Sequence, residues 1–330
     1  MLPIKIMILG GAVMFGLAAA ARRATRQQLR ILCYHGVWVT PGYEFGNHIF
    51  MGADQFARRM ARLKRSRRPV LPLGEAIERL AHNDLPDAAV AITIDDGWAS
   101  TLTHMVPVLE AYELPATLYA ATWYSEHDLP VVNVAADYLR SAAGRGDVDL
   151  AAKIAEIEAL PIEARLAALR DFGRSLGVAE DWLERRQFNN MSAGEIAEAG
   201  RRGLDIQLHT HRHIDVKTRL DELPREIADN RAFLAAATGE RRFEHFCYPS
   251  GRFHPRAPEL LAASGVRSAT TTERGLNAPG TDPYALRRFL DGRRVSNLQF
   301  DAYLSGLLHF TARFSRLIGR RGKAPSPYAG

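Results

Sequence analysis

From Leu29 onward, short apolar runs of strand character alternate with amphipathic runs at helical spacing, and this alternation limits the possible folds more than any other feature. The strand candidates are Arg30 to Tyr34, Ala89 to Ile94, Ala116 to Ala120, Leu204 to Leu208, Phe246 to Tyr248, Val266 to Thr271 and Leu286 to Leu290. Near-continuous apolar runs of this length belong to strands covered on both faces. Between them, Phe56, Met60 and Leu63 fall at helical spacing, and Thr101 to Tyr112, Glu222 to Ala237 and Pro255 to Ser264 read as helices. Ser192-Ala193-Gly194-Glu195 has capping-box spacing and predicts a helix through about Arg202. Strand–helix repetition packs helices around a parallel sheet or barrel, and a barrel gathers its chemistry at the C-terminal ends of the strands.

The expectation is therefore an α/β fold, a distorted (β/α) barrel. Residues from about 123 to 187 interrupt the rhythm; they are rich in Ala, Glu, Leu and Arg and offer no strand, which predicts a helical insertion. The expected organisation is a hydrophobic signal or anchor segment over 1–28, a catalytic domain over 29–295 that carries the insertion, and a C-terminal amphipathic helix with a basic tail over 296–330. That last helix, Leu298 to Ile318, should pack Phe300, Leu304, Leu307, Leu308 and Phe314 on the barrel.

A chain of 330 residues with 47% hydrophobic and 24% charged residues can bury a large core, which excludes a disordered or fibrous polymer. Its two cysteines, Cys33 and Cys247, lie inside apolar runs and are expected as buried free thiols; no CxxC spacing suggests a zinc finger. The net charge of +6 is concentrated in Arg22, Arg23, Arg26 and Arg30, in a second cluster from Arg58 to Arg68, and in a third from Arg313 to Lys323. These are either solvated helix faces or a surface for an anionic membrane or polymer. No nucleic-acid motif accompanies them, so no nucleic-acid partner is expected. Ile4 to Ala21 is about long enough to span a bilayer and ends in four alanines suited to signal-peptidase cleavage. Export or membrane anchoring, with association through the N-terminus, is the expectation, although the arginines after the span lie on the side that the positive-inside rule keeps in the cytoplasm.

Two strand ends carry the chemistry. Ile92-Thr93-Ile94-Asp95-Asp96-Gly97 ends a strand in adjacent carboxylates and a glycine, and His209-Thr210-His211-Arg212-His213 follows another strand with a His-x-x-x-His pair. Neighbouring strand side chains point to opposite faces, so Asp95 and Asp96 can share a site only if the strand ends there, and Gly97 permits that turn. Two imidazoles and one carboxylate make three ligands with an open position, the donor set of a catalytic metal site, and leave the second carboxylate as a base. His211 should point away from that site. Non-haem iron oxygenases use the same ligand set, but they need no spare carboxylate beside the ligand.

On these residues the chain resembles the polysaccharide deacetylase family, the NodB-homology domain of carbohydrate esterase family 4. Thr93 to Gly97 matches the family's Thr-Phe-Asp-Asp-Gly motif with Ile94 in place of Phe, and His209-Thr210-x-x-His213 matches its His-Ser/Thr-x-x-His motif. Phe246-Cys247-Tyr248-Pro249-Ser250-Gly251 and Tyr34-His35-Gly36-Val37 resemble motifs of the branch that deacetylates exopolysaccharide and biofilm chains. The resemblance covers roughly residues 29–295 without the insertion. It implies a metal-dependent hydrolase that removes N-acetyl groups from an amino-sugar glycan, with a divalent ion, zinc being the expected one. It further implies Asp95 as general base, Asp96, His209 and His213 as metal ligands, the backbone N–H of Tyr248 as an oxyanion donor, and His35 as an active-site residue without an assigned role. The family's arginine ahead of the third-motif proline is absent; Arg288 either replaces it in steadying the base or serves packing. The late Leu-x-Ile-His motif that supplies the acid has no counterpart, and His309 in the terminal helix is not promoted to that role. Two alternatives remain: a deacetylase or deformylase of a lipid-linked sugar, and a weakly catalytic glycan-binding homologue.

Overall fold

The computed structural model describes residues 16–39 and 50–310. Seven parallel strands close into a barrel in the order β1 (Arg30–Tyr34), β4 (Val90–Asp96), β5 (Ala116–Ala120), β6 (Leu204–Leu208), β7 (His245–Cys247), β8 (Ser268–Arg274) and β9 (Leu286–Leu290), with β9 returning to β1. A small pair, β2 (Val37–Trp38) and β3 (Met51–Gly52), lies above β1. Helices follow in chain order: α1 (Leu17–Ala24), α2 (Ala53–Arg65), α3 (Leu73–Ala81), α4 (Val106–Ala111), α5 (Trp123–His127), α6 (Val132–Ala142), α7 (Leu150–Glu158), α8 (Ile162–Ser175), α9 (Asp181–Glu184), α10 (Ala193–Arg201), α11 (Leu223–Thr238), α12 (Ala257–Ala263) and α13 (Asn297–Leu304).

Period-two alternation divides each strand between two environments. Leu32 and Tyr34 of β1 point outward into the helix layer, where Phe56, Met60 and Leu63 of α2 meet them, while Cys33 between them points into the barrel. Phe246 likewise faces the outer layer and Cys247 the interior. Ser192 caps α10 with the expected reciprocal bonds to Glu195. Three expectations need correction. Thr101 to Tyr112 is not one α-helix: Thr101–Met105 forms π-type turns before α4, because Pro107 brings no N–H to the carbonyl four residues back. Strand β8 starts at Ser268 rather than Val266, whose N–H is spent on Leu261 O at 2.9 Å in closing α12. The C-terminal helix is interrupted after Leu304 and resumes over 307–310, since Gly306 adopts φ +82°, and Thr25 occupies the space that a Cβ there would need.

Helix α13 packs on the barrel through Phe300 and Leu304; the part of the expected helix beyond residue 310 lies outside the described residues. So does most of the apolar run from Ile4 to Ala21, and among the described residues no helix is long and apolar enough to cross a membrane. Helices α5 to α9 build their own apolar cluster, in which Tyr138, Trp182 and Phe188 pack with Trp38, Phe50 and Trp98 at the barrel rim. Cys33 and Cys247 are both buried and unbonded.

Candidate active site

Strand β4 delivers two carboxylates to different depths. Asp95 follows the alternation and points into the barrel, 2% exposed. Asp96 would point outward, but the chain turns there: Asp96 itself takes φ +73° and Gly97 φ +88°. Left-handed backbone is costly for a non-glycine residue and persists only where neighbours enforce it. Here Asn190 Nδ2 donates to Asp96 O at 2.9 Å, Ala121 N to the same oxygen at 3.2 Å, and Trp98 Nε1 to the Asp96 carboxylate at 2.9 Å. The turn sets the free carboxylate oxygen, Oδ1, at the mouth.

The loop after β6 bends in the same manner, with Thr210 at φ +62° and His213 at φ +55°. It brings His209 Nε2 to 3.2 Å and His213 Nε2 to 3.4 Å from Asp96 Oδ1. His209 is buried, whereas His213 keeps 40% of its side chain exposed and marks the open side. Helix α11 holds this loop from behind with two polar residues one turn apart. Asn230 Oδ1 accepts from His209 N at 3.0 Å, and Glu226 accepts from Arg212 N at 2.7 Å; both are buried. Asn230 Nδ2 also reaches Ala120 O and Thr122 Oγ1, each at 2.9 Å, which ties the loop to the end of β5. His211 points away as expected, its ring bonded to Thr122 Oγ1 at 2.8 Å and facing Glu126 at 3.3 Å.

These three donors fit a metal ion. His209 Nδ1 lies 2.8 Å from Cys247 O, an acceptor, so the ring hydrogen sits on Nδ1. In the neutral ring Nε2 is then a bare lone pair aimed at a carboxylate oxygen. Two acceptors face each other at such distances only with a proton or a cation between them. With no metal, the site leans toward the proton: burial disfavours the His209 imidazolium, but the Asp96 and Asp95 carboxylates outweigh it and raise the pKa. Burial likewise opposes the Asp96 carboxylate, and the two histidines override it and hold its pKa well below the usual range. The bond from Nδ1 to a backbone carbonyl is also the support that metal-binding imidazoles commonly have.

Asp95 sits beneath this triad with its own cation. Arg288 Nη1 and Nη2 each donate to one of its oxygens at 2.7 Å, and Arg288 is itself fully buried. Arg288 Nε is bonded to Thr271 O at 2.8 Å and Nη1 to Thr93 Oγ1 at 3.1 Å, so the guanidinium is fixed on all sides. Burial alone would raise the Asp95 pKa; Arg288 outweighs it and brings it to about 2. The thiols of Cys33 and Cys247 contact the same carboxylate oxygen at 3.5 and 3.4 Å, and burial raises both their pKa values, so they stay protonated donors. His35 Nε2 lies 3.8 Å from that oxygen. Burial lowers the His35 pKa against the pull of Asp96 and Asp95, which leaves the ring neutral.

The structure thus brings Asp95, Asp96, His209, His213, His35 and Arg288 together, and Arg288 is the partner of the Asp95 carboxylate rather than packing. Tyr248 needs a correction. Its N–H donates to Thr270 O at 3.2 Å in the β7–β8 ladder and is not a free oxyanion donor. Its ring faces outward, stacked on Phe253 with centroids 4.3 Å apart. The contacts of Cys33 and Cys247 with Asp95 follow from strand alternation, which already puts both on the inner face. Asn230 and Glu226 left no signal beyond two polar residues one turn apart on an otherwise apolar helix face.

A profile of the polysaccharide deacetylase family matches residues 82–269, just over half of the 330 residues, and the chain belongs to that family. His35 and Arg288 lie outside the matched stretch. No curated protein sequence matches the chain significantly. Among solved structures, the chain is similar to the Streptococcus pyogenes deacetylase PplD in complex with acetate, with a TM-score of 0.59 and 19% identity over 86% of this chain and 98% of that one. It is also similar to IcaB from Ammonifex degensii, with a TM-score of 0.55 and 21% identity over 84% of this chain and 97% of that one. A de-N-acetylase from Aggregatibacter actinomycetemcomitans has a TM-score of 0.57 and 14% identity over 84% of this chain and 99% of that one.

Proposed function

We propose that this chain is a metal-dependent hydrolase that removes N-acetyl groups from an amino-sugar glycan, with a divalent ion, zinc, held by Asp96, His209 and His213. The observation that carries this reading is the convergence of two imidazole nitrogens on one carboxylate oxygen at 3.2 and 3.4 Å, beside a second, separately held carboxylate. When bound, the metal supplies the Lewis acidity that activates a water and an acetamide carbonyl.

The remaining work belongs to side chains of this protein. Asp95 takes the proton of the attacking water. Its pKa of about 2 makes it a weak acceptor, so the proton it receives is passed on readily. Arg288 keeps the carboxylate charged and fixed in direction. His35, neutral at rest and 3.8 Å from Asp95, receives that proton and delivers it to the departing amine. The C–N bond breaks, acetate leaves and the amine stays on the sugar. Tyr248 supports the β7 end of the wall and takes no part in the bond changes. The exported or membrane-anchored placement expected from residues 4–21 suits a glycan outside the cell.

The test is acetate release from N-acetylglucosamine oligomers. Chelation should abolish it and added zinc restore it. Asp95→Asn should lower kcat by roughly 10²–10⁴-fold, the usual contribution of a general base, with metal content unchanged. Activity that survives both treatments would sink the proposal.

A further inference from the structure

The two ends of the described chain and the end of α2 meet at one pole of the barrel, away from the site. Strand β1 starts there with Arg30, whose Nε donates to Leu304 O at 2.8 Å and whose Nη1 donates to Thr25 O at 3.1 Å, joining α13 to the end of α1. Arg26 O accepts from Ala88 N at 2.6 Å, just below the first residue of β4. Helix α2 runs down to the same level: Pro69 O accepts from Val90 N at 2.9 Å. All the strands are parallel, so this pole lies at their N-terminal ends, opposite Asp96 and His209.

Arginines distant in sequence therefore share one surface. Arg22, Arg23, Arg26, Arg65 and Arg67 are exposed and Arg68 is half-buried. Among the described residues none of the six has an ion-pair partner within 4.0 Å. Acidic neighbours are present but engaged: Asp301 with Arg62, Glu113 with Lys64, Asp87 with Gln27. Burial, then the proximity of Arg22, lowers the Arg68 pKa, with Asp301 pulling the other way, and Arg30 is influenced by both Arg68 and Arg22, so side chains of the first two basic clusters are neighbours here. The only exposed large apolar side chains among the described residues are Leu17 at 51%, the first residue of α1, and Phe310 at 39%, in the short helical stretch over 307–310 that follows Gly306 beside Thr25. In sequence, Leu17 belongs to the apolar run from Ile4 to Ala21.

We infer that this pole is a docking surface for an anionic lipid bilayer, which holds the barrel with its catalytic mouth turned away from the membrane. Positive charge alone would suit an acidic polymer equally well. The exposed Leu17 and Phe310 and the adjoining apolar run favour a bilayer, whose interior accepts such groups. The orientation, together with the proposed deacetylase activity, favours a glycan chain over a sugar whose lipid sits in the same membrane.

The test is sedimentation of the full chain with vesicles of phosphatidylcholine, alone or with phosphatidylglycerol. Binding should rise with phosphatidylglycerol and weaken with added salt. Arg65→Glu/Arg67→Glu, both exposed and more than 40 residues from the apolar run, should weaken binding by roughly tenfold or more. Arg170→Glu/Arg174→Glu on α8 should not, and acetate release from a soluble oligomer should be unchanged in both variants. Indifference to phosphatidylglycerol, wild-type binding by the Arg65/Arg67 variant, or an equal loss in the α8 variant would overturn the inference. Competition by a soluble acidic glycan at lower concentration than the lipid would do so as well, in favour of a polymer.

Discussion

Removing Arg288 should destabilise the barrel in a pH-dependent way, because the residue offsets the burial of Asp95. The Asp95 pKa falls from 3.8 to about 2, and at about 1.4 kcal/mol per unit this corresponds to about 2 kcal/mol of stability. The loss in Arg288→Met should be larger, about 3–5 kcal/mol near neutral pH, since Asp95 would stay buried and charged without its partner. Because the folded pKa lies below the unfolded one, the wild-type contribution is complete above about pH 4 and disappears as pH falls toward about 2. In the variant, burial, the largest influence on Asp95, is opposed only by His35, His209 and the two thiol donors; its pKa should rise above the unfolded value, and stability should fall as pH rises past that value. The gap between the two proteins should therefore widen from acid to neutral pH. Urea midpoints for chelator-treated protein across that range measure it. Asp95→Asn/Arg288→Met should regain more than half of the loss, since it leaves no unpaired charge. A destabilisation independent of pH, or a double variant no more stable than the single one, would refute the account of Arg288 as counter-ion to Asp95.

Two further outcomes probe the proposed metal site. His213→Ala should remove a proposed ligand from the exposed side of the site and weaken zinc binding, while the chelator-treated protein unfolds at only slightly lower urea concentration than wild type, because the His213 side chain is 40% exposed and buried His209 still holds the Asp96 carboxylate. Asn230→Leu should free the His209 amide and the end of β5 and lower zinc affinity by about 10–100-fold, as the loss of a residue supporting a metal ligand commonly does; titration calorimetry with zinc reads this without relying on turnover, and unchanged affinity would remove Asn230 from the support of the loop.

The parallel barrel was legible because its strands are short apolar runs set between helical ones, and Asp95, Asp96, His209 and His213 because their spacing survives in the linear chain. Arg288 was legible only as one of two options: an arginine in β9 carries no sign in its sequence of facing inward toward a carboxylate 193 residues away. Cys33 and Cys247 were expected as buried thiols, and that they are, but their shared contact with Asp95 depends on β1, β4 and β7 enclosing the same interior. The amide of Tyr248 shows the opposite limit. A motif places the residue, yet whether its N–H is free depends on the neighbouring strand, and β8 claims it.

By itself, the sequence determined the kind of elements, their order and the chemical types at the strand ends, since these rest on local periodicity and on residues close together in the chain. It also showed three basic clusters without saying whether they belong together. Tertiary structure decided which carboxylate lies deep and which at the mouth, through a left-handed turn at Asp96 held by Asn190 and Trp98. It decided that Asn230 and Glu226 brace the histidine loop, and that two of the basic clusters meet at the pole opposite the site. Those outcomes come from barrel closure and helix packing, which bring distant residues within hydrogen-bonding or Coulombic reach, and no local pattern encodes such distances.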